Sequence, residues 1–315
     1  MIDYDIFYRE NLDINEIKEL LSIDIFISAF NDSERVKRVF NEINAEKKIW
    51  FIQKEYHFDE NIILDLPNKI TVDSCDESIQ VEEIIKEIGA ELEGKNIYID
   101  CTGFMRHTLV FLIIRLGAKG CKNINIIYSE PSSYIDNDAT RFSELCDEVR
   151  AIKGTSRSKI GPKEAVLMSI GYDADLMSQM LNKYEGVKLY PLFSFPSLSA
   201  DMFQHSIIKS SNIQFSSKGQ LANYRNFAPA HDPFSTAKEI SKIIKRIAND
   251  NIYNIYLVPL STKAQVIGHT YFWWKEREKL REDKININLT LPISSSYQSK
   301  TSHGIGRVWK YTLEM

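Results

Sequence analysis

Two short polar segments interrupt apolar stretches of the sequence, and both contain side chains suited to holding a charged ligand. The first polar turn is Asp100–Gly103 (DCTG), which is closely followed by Arg106 and His107. The second polar turn is Leu260–Lys263 (LSTK). Hydroxyls, cations and backbone N–H groups beside a glycine are groups with which proteins hold phosphate. The pattern predicts binding of a nucleotide-type ligand.

The first polar turn also carries residue types that serve in nucleophilic catalysis, such as the thiol of Cys101 and the imidazole of His107. The common motifs are absent, because the sequence has no G-x-G-x-x-G, P-loop or G-x-S-x-G segment. The stretch CTGFMR is one residue short of the phosphatase pattern C-x5-R. An enzyme acting on a nucleotide or phosphorylated metabolite is therefore an alternative, with Asp100, Cys101, Thr102, His107 and Lys263 near the reacting atom.

Each polar turn lies where an apolar, strand-like run meets a helix-like run. Ile97 begins the run IYID before the first turn, and Ile255 begins IYLVP before the second. In open parallel sheets, ligands bind beyond the carboxyl ends of the strands, where such turns lie. We expect Thr102 to cap the following helix and Gly103 to let backbone N–H groups approach the ligand.

The sequence contains two similar halves. Ile25–Phe40 (IFISAFNDSERVKRVF) aligns without a gap with Val166–Leu181 (VLMSIGYDADLMSQML), at an offset of 141 residues (166 minus 25). IYIDCT corresponds to IYLVPLST, and INIIYSEPSSY, which ends at Tyr134, corresponds to INLTLPISSSY, which ends at Tyr297. Chance is the alternative to duplication, because strand-helix-strand units in any α/β protein share apolar patterns.

Apolar strands that alternate with helices indicate parallel sheets joined by helical crossovers. The sequence therefore predicts an α/β fold: two tandem Rossmann-like domains with mainly parallel sheets, related by internal duplication. The predicted domains are residues 1–150 and 151–315, joined near Arg150–Pro162, which is rich in Gly, Ser and Lys. The irregular region Ser210–Pro233 is a candidate loop for covering a ligand or contacting a partner.

The candidate ligand-binding residues are polar, charged or tyrosine side chains, with one glycine, at the predicted carboxyl edges of both sheets. They are Asn31, Asp32, Ser33, Asp100, Thr102, Gly103, Arg106, His107, Tyr134, Tyr172, Asp173, Ser261, Thr262, Lys263 and Tyr297. A structural alternative accompanies most of them. The hydroxyls and carboxylates could cap helices, the cations could be solvated, and the tyrosines could pack after a strand.

The composition is that of a globular protein with 43% hydrophobic residues and a formal net charge of −4 at pH 7. This charge gives no general attraction to nucleic acid, which is therefore not an indicated partner. The four cysteines lie far apart, without a C-x-x-C pair, so we expect reduced thiols, no disulfide framework and no metal site. No cofactor is identified. The acidic N-terminal segment and the short apolar runs predict a cytoplasmic protein that has no membrane partner.

The order strand, D-x-T-G or S-T-K, helix resembles the ligand loop of CRISPR-associated Rossmann-fold (CARF) domains, which typically carry a Thr-Gly-Gly-Thr-Lys-like turn. Two such units in one chain resemble the SAVED sensor domain. The present turns differ from that pattern, because Phe104 follows Thr102 and Gly103, and the lysine occurs only in the second turn. The resemblance implies binding of an oligonucleotide second messenger in prokaryotic antiviral defence.

The leading hypothesis is thus a ligand-sensing or regulatory protein of a prokaryotic defence or signalling system. It would bind a nucleotide-type small molecule in the cleft between its two halves and act through an effector protein subunit, with a homo-oligomer as a further possibility. A third hypothesis is a scaffold subunit of a defence complex without a small ligand. In it, Trp273, Trp274 and Trp309 would contact a partner protein, although core packing is the simpler role for these side chains.

Overall fold

A computed structural model of the protein describes residues 2–89, 91–135, 143–199, 201–212 and 225–315. The chain forms two compact units. The first unit is Phe7–Leu145 with Ser294–Met315, and the second unit is Cys146–Ile293 with Met1–Ile6. The chain thus enters the second unit after Leu145 and returns to the first unit after Ile293.

The first unit is built on a seven-stranded sheet. Its strands are β1 (Arg9–Leu12), β2 (Ile25–Ala29), β3 (Lys47–Ile52), β4 (Lys69–Thr71), β5 (Ile97–Asp100), β6 (Asn123–Ser129) and β17 (Val308–Glu314). They lie in the order β1-β17-β6-β5-β2-β3-β4. The five strands β2 to β6 pair in parallel, whereas β17 is antiparallel to both β6 and β1.

Short strands and helices complete the first unit. The short strands form two antiparallel pairs: β7 (Ser133–Tyr134) with β16 (Ser302–His303), and β8 (Ser143–Leu145) with β15 (Ser296–Tyr297). The helices are α1 (Glu34–Glu42), α2 (Glu60–Leu64), α3 (Glu77–Ile88) and α4 (Arg106–Ala118), with 3₁₀ turns at Ile14–Glu19 and Lys54–Tyr56.

The second unit contains a six-stranded sheet. Its strands are β9 (Glu148–Ala151), β10 (Glu164–Ser169), β11 (Lys188–Ser194), β12 (Asn226–Ala228), β13 (Asn254–Pro259) and β14 (Asn286–Ile293), in the order β12-β11-β10-β13-β14-β9. Only β9 is antiparallel to its neighbour. The helices are α5 (Ala174–Lys183), α6 (Met202–Asn212), α7 (Pro233–Asn249) and α8 (Lys263–Glu282), with a 3₁₀ turn at Tyr4–Ile6.

The five parallel strands of each unit follow the same spatial order when they are numbered along the chain. This order is 3-2-1-4-5, which is that of a Rossmann-like sheet, and each sheet adds an antiparallel strand beside the fifth parallel strand. The predicted α/β fold with mainly parallel sheets is confirmed. Internal duplication of the sequence stays a prediction.

The central strands are apolar because helices cover a parallel sheet on both faces. Every residue of β2 and of β5 is buried, including the polar side chains of Ser28 and Asp100 at their carboxyl ends. Helix α4 is buried along most of its length, which explains why its sequence is apolar on all sides. The polar groups that remain inside are therefore concentrated at the strand ends.

The segment that was predicted to join the domains, residues 150–162, lies in the second unit. Asn254 holds it there, since its side chain accepts a hydrogen bond from Ile160 N (2.8 Å) and donates one to Ile160 O (2.9 Å). Asn288 accepts a further bond from Arg157 N (2.9 Å). These buried asparagines provide hydrogen-bond partners for the backbone of the segment that follows β9, which has no regular secondary structure of its own.

The candidate loop Ser210–Pro233 includes the end of α6 and all of β12, while its residues 213–224 lie outside the described part of the chain. All four cysteines are thiols and none forms a disulfide. No helix within the described ranges is long and apolar enough to cross a membrane.

Candidate functional site

The carboxyl ends of β2, β5 and β6 bring three polar side chains of the first unit together. Asp100 accepts hydrogen bonds from the Ser28 hydroxyl (2.9 Å) and from Thr102 N (3.0 Å). The Thr102 hydroxyl accepts a bond from Ser129 N (3.1 Å). All four residues are at most 6% exposed. We call this group the first carboxyl edge.

The structure corrects the expected role of Thr102. Helix α4 begins later, with Met105 at its N-cap position and no side-chain capping bond. The Thr102 hydroxyl instead joins the end of β5 to the end of β6. Thr102 therefore fixes the shape of the first polar turn rather than the start of the helix.

Gly103 is required by packing against the neighbouring strand. A Cβ atom at this position would lie 2.0 Å from the carbonyl oxygen of Ala29, at the end of β2. In the second unit, Gly171 has the equivalent constraint, with 2.2 Å between its would-be Cβ and the Leu260 carbonyl oxygen. The sequence singled out only the first of these two glycines.

Burial raises the pKa of Asp100. Weaker effects oppose this shift, namely its hydrogen bonds with Thr102 and Ser28 and the positive charge of Arg35. At the first carboxyl edge, therefore, removal from water disfavours the charged form of Asp100, and the Arg35 cation lies close enough to favour it.

Arg35 is a residue of this edge that the sequence reasoning missed. Its Nη1 atom donates a hydrogen bond to Ser129 O (2.6 Å), and its Nε atom is buried with no acceptor in the described part of the chain. Burial raises the pKa of Tyr56, Tyr128 and Tyr134, and the Arg35 charge opposes that shift in each case. The guanidinium therefore lies among several aromatic hydroxyls and a carboxyl group.

One sequence signal could have identified Arg35. It is the second residue of α1, and a cation in the first turn of a helix is disfavoured by the helix dipole. Arg106 and Lys263, which the sequence did single out, are likewise the first residues of α4 and α8. Three helices thus carry a cation where a structural role would favour an anion.

Asn31, Asp32 and Ser33 form the turn between β2 and α1. Asn31 Oδ1 accepts bonds from Ser33 N (3.0 Å) and from the Ser33 hydroxyl (2.6 Å). Asp32 accepts a bond from the Ser299 hydroxyl (3.0 Å) and pairs with Lys37 at 3.4 Å. Asp32 and Ser33 do not act as side-chain caps of α1, since Ser33 holds the N-cap position without a capping bond.

His107 faces the interior of the first unit. Its Nε2 atom lies 3.1 Å from Glu55 Oε1, and the two residues are 3% and 0% exposed. Gln80 donates to both carboxylate oxygens of Glu55 at 3.0 Å and accepts a bond from the Thr108 hydroxyl (2.6 Å). His107 thus belongs to a buried polar network rather than to an accessible surface. Cys101, the thiol considered as a nucleophile, is also fully buried.

The segment Gln53–Phe58, which follows β3, is bonded to the first polar turn and to the start of α4. Gln53 Oε1 accepts a bond from Met105 N (2.8 Å), and the Tyr56 hydroxyl donates to Gly103 O (2.8 Å). Burial raises the pKa of Tyr56 to about 12, so this hydroxyl keeps its proton. The position of the segment is therefore fixed by the turn.

Tyr134 and Tyr297 both lie in the first unit, although the sequence alignment assigned them to different halves. Tyr134 belongs to β7, which pairs with β16, and Tyr297 belongs to β15. Tyr297 is close enough to Tyr56 to contribute to the raised pKa of Tyr56. The charges of Arg35 and Arg106 both act to lower the pKa of Tyr134. Tyr297 thus lies near Tyr56, and Tyr134 lies near the two arginines.

The second unit has a polar edge of its own. Thr262 caps α8, since its hydroxyl accepts a bond from Gln265 N (3.3 Å) and donates to Ala230 O (2.5 Å). The Ser261 hydroxyl lies 2.7 Å from that of Ser194. Lys263 follows as the first residue of the helix. The capping alternative for Thr262 is therefore correct.

Tyr172 and Asp173 lie after β10 in the same unit. Asp173 caps α5 by accepting a bond from Leu176 N (3.2 Å). Lys209 donates a hydrogen bond to Tyr172 O (3.0 Å), and its ammonium lies 4.1 Å from the centre of the Tyr172 ring. Asp173 thus has a structural role, while Tyr172 and Lys209 form a cation–π pair.

The three tryptophans predicted to contact a partner protein each contact residues of their own unit. Trp273 is 4% exposed and donates its indole N–H to Ile287 O (3.2 Å), so it is a core residue. Trp274 is partly exposed and stacks against Arg277 at 3.9 Å. Trp309 donates to Glu130 Oε1 (2.7 Å).

Among the described residues, no group of three or more His, Cys, Asp or Glu side chains is arranged to hold a metal ion. No protein-family model matches the chain, and no curated protein sequence matches it significantly. The chemistry suggested by the geometry is binding of an anion by Arg35 together with hydroxyl and backbone groups of the first carboxyl edge.

Proposed function

We propose that the protein is a ligand-sensing protein that binds a nucleotide-type ligand at the first carboxyl edge. The observation that carries the proposal is the Arg35 guanidinium, whose buried Nε atom lacks an acceptor among the described residues. The guanidinium lies at the edge formed by the carboxyl ends of β2, β5 and β6, which are the first, fourth and fifth parallel strands of the Rossmann-like order. Ligands of such sheets bind at this edge, next to the point where the strand order reverses.

The charge pattern favours a phosphate-containing ligand. Arg35 and Arg106 lie in the first turns of α1 and α4, where the helix dipole already supplies partial positive charge. A cation in this position costs a folded helix about 0.3–1 kcal/mol, and a bound anion would reverse that cost. An arginine can also hold phosphate with two parallel hydrogen bonds.

In this proposal the ligand is a signal and the output passes through a partner protein of a prokaryotic antiviral defence or signalling system. The support is the combination of a polar turn after the fourth parallel strand with the Rossmann-like strand order, which is the combination by which the chain resembles CARF and SAVED domains. The burial of Cys101 and His107 supports binding rather than turnover.

Isothermal titration with cyclic and linear oligoadenylates and the common mononucleotides tests the proposal. We expect at least one of them to bind, and Arg35→Gln to weaken that binding about 10- to 100-fold, as loss of a hydrogen bond between charged groups does. Arg38→Gln removes the same charge from the same helix and should leave the affinity within about twofold. Circular dichroism verifies that all three proteins are folded. Binding that is equally strong in Arg35→Gln would refute the proposal.

A further inference from the structure

A groove lies at the carboxyl ends of β3 and β4 in the first unit. Its volume is about 540 Å³, within the range of sites for small molecules. The segment Gln53–Phe58 forms one wall, α2 forms a second, and Thr71–Asp73 forms the third. None of the residues considered from the sequence alone lines this groove.

The inner surface of the groove is apolar and includes a flat aromatic ring. The Phe58 ring lies 5.0 Å from the Phe30 ring and 5.4 Å from the Tyr56 ring, so its orientation is fixed by aromatic neighbours. Leu64, on α2, lines the groove and is 66% exposed. An apolar ligand surface placed between them would bury side-chain area that is now in contact with water.

The rim of the groove is polar but carries no excess of positive charge. Lys54 pairs with Asp73 at 2.7 Å, and Glu60 adds a second carboxylate. His57 Nε2 must donate its hydrogen to Ser295 O (2.9 Å), because a carbonyl oxygen only accepts, so a neutral His57 ring offers Nδ1 as an acceptor. This lining disfavours phosphate and suits an uncharged ring with hydrogen-bond donors and acceptors on its edge.

The segment Gln53–Phe58 connects the groove with the first polar turn. Tyr56 bonds to Gly103 of the turn and Gln53 to Met105 at the start of α4, at 2.8 Å each, while Lys54, His57 and Phe58 line the groove. The two sites therefore share one short segment of backbone. A ligand with a charged part and a flat uncharged part matches the chemistry of the two sites.

From these observations we propose that the groove binds the nucleoside part, base and sugar, of the ligand whose phosphate Arg35 holds. This inference takes the class of ligand from the proposed function. It adds the place at which the uncharged part of the ligand binds and the side chains that recognise it. The base stacks on Phe58 and Leu64, and the rim groups bond to its edge.

The test uses the nucleosides adenosine, guanosine, cytidine and uridine as probes of the full chain, by saturation-transfer NMR and titration. We expect at least one nucleoside to bind. Leu64→Glu should weaken its binding at least tenfold, because it places a charge against the base. Leu21→Glu is the matched control, since Leu21 is 81% exposed in the same unit and does not line the groove. It should bind as the wild type does.

Thr71→Arg provides a second variant in case Leu64→Glu does not fold, because Thr71 is exposed and its replacement fills the groove. Loss of nucleoside binding in that variant supports the proposal. Failure of all four nucleosides to bind folded wild-type protein overturns it, as does unchanged binding in Thr71→Arg.

The nucleoside 5′-monophosphates separate this proposal from the proposed function. If a monophosphate binds with a dependence on Arg35 while no nucleoside binds, the groove proposal fails and the phosphate site stands. If a nucleoside binds with a dependence on the groove, and its monophosphate binds no more tightly in the wild type than in Arg35→Gln, the phosphate site fails and the groove stands.

Discussion

At the scale of single residues, Arg35 differs from Ser28, Asp100 and Thr102 of the first carboxyl edge. Asp100 accepts bonds from Ser28 and from Thr102 N, and the Thr102 hydroxyl accepts a bond from Ser129 N, which holds the strand ends together. Arg35 donates to Ser129 O yet keeps a buried Nε without an acceptor in the described ranges. A buried donor left without a partner costs free energy, and this cost is the observation on which the proposed anion site rests.

Some residue roles could be predicted from the sequence and others could not. Thr262 and Asp173 cap helices, as their position before a helix-like run allowed. Thr102 has the same sequence context but bonds to Ser129, because the chain makes a further turn before α4 begins. Arg35 could not be recognised as easily as Arg106 or Lys263, because the acidic Glu34 precedes it in the first turn of α1 and gives that turn an ordinary helical start.

His269 provides a test at this scale, in the second unit. It is fully buried beside Ser169, with 2.7 Å between the Ser169 hydroxyl and His269 Nε2, and burial lowers the pKa of His269 from 6.5 to about 3. The unfolded chain therefore takes up a proton between these two pH values while the folded chain does not. The contribution of His269 to the free energy of unfolding should be fully present above pH 6.5. Below that pH the free energy of unfolding should fall by about 1.4 kcal/mol per pH unit.

Urea denaturation of the full chain at pH 7, 6, 5 and 4 measures this dependence. Other groups also titrate over this range, so the wild type is compared with His269→Gln, which removes the titration. The variant should lose stability at pH 7 and show a shallower decline towards pH 4. Parallel curves for the two proteins would show that His269 does not carry the effect.

At the scale of elements, the local pattern was sufficient for the central parallel strands and for the helices α1, α4, α5 and α8, whereas the short strands β4 and β12 were not identified. Ile97–Asp100 is a strand and Arg106–Ala118 a helix, as the change from a short apolar run to a longer helical pattern indicated. The strands that pair with β17 could not be predicted from the local pattern. This strand is at the end of the chain but pairs with β6 and β1, and pairing over such a sequence distance leaves no local signal.

The pairing of β17 makes a prediction about its central residue. Tyr311 is fully buried and lies opposite Ile126 on one side and Arg9 on the other. Tyr311→Ala removes a large core side chain and should lower the free energy of unfolding by about 3–5 kcal/mol. Lys310→Ala is the control, since Lys310 is only partly buried on the same strand, and it should cost less than about 1 kcal/mol.

Denaturant titration followed by circular dichroism compares these two variants with the wild type. A similar, small effect of both substitutions would mean that β17 does not contribute to the core of the first unit.

At the scale of the whole molecule, the two units share a strand order but differ in the groups at their carboxyl edges. The first unit presents Arg35, a buried carboxyl group and the groove beside β3 and β4. The second unit presents hydroxyls that bond to one another and a cation at the start of α8. We infer from this difference that the first unit supplies the main contacts to the ligand.

Native mass spectrometry of the purified protein, incubated with cyclic and linear oligoadenylates and the common mononucleotides, tests the central claim most directly. The proposal predicts a mass increase on the wild-type chain equal to one nucleotide-type molecule. With Arg35→Gln the adduct should be at least tenfold less populated at equal ligand concentration. Absence of any adduct on folded wild-type protein, or an adduct of equal intensity on both proteins, would contradict it.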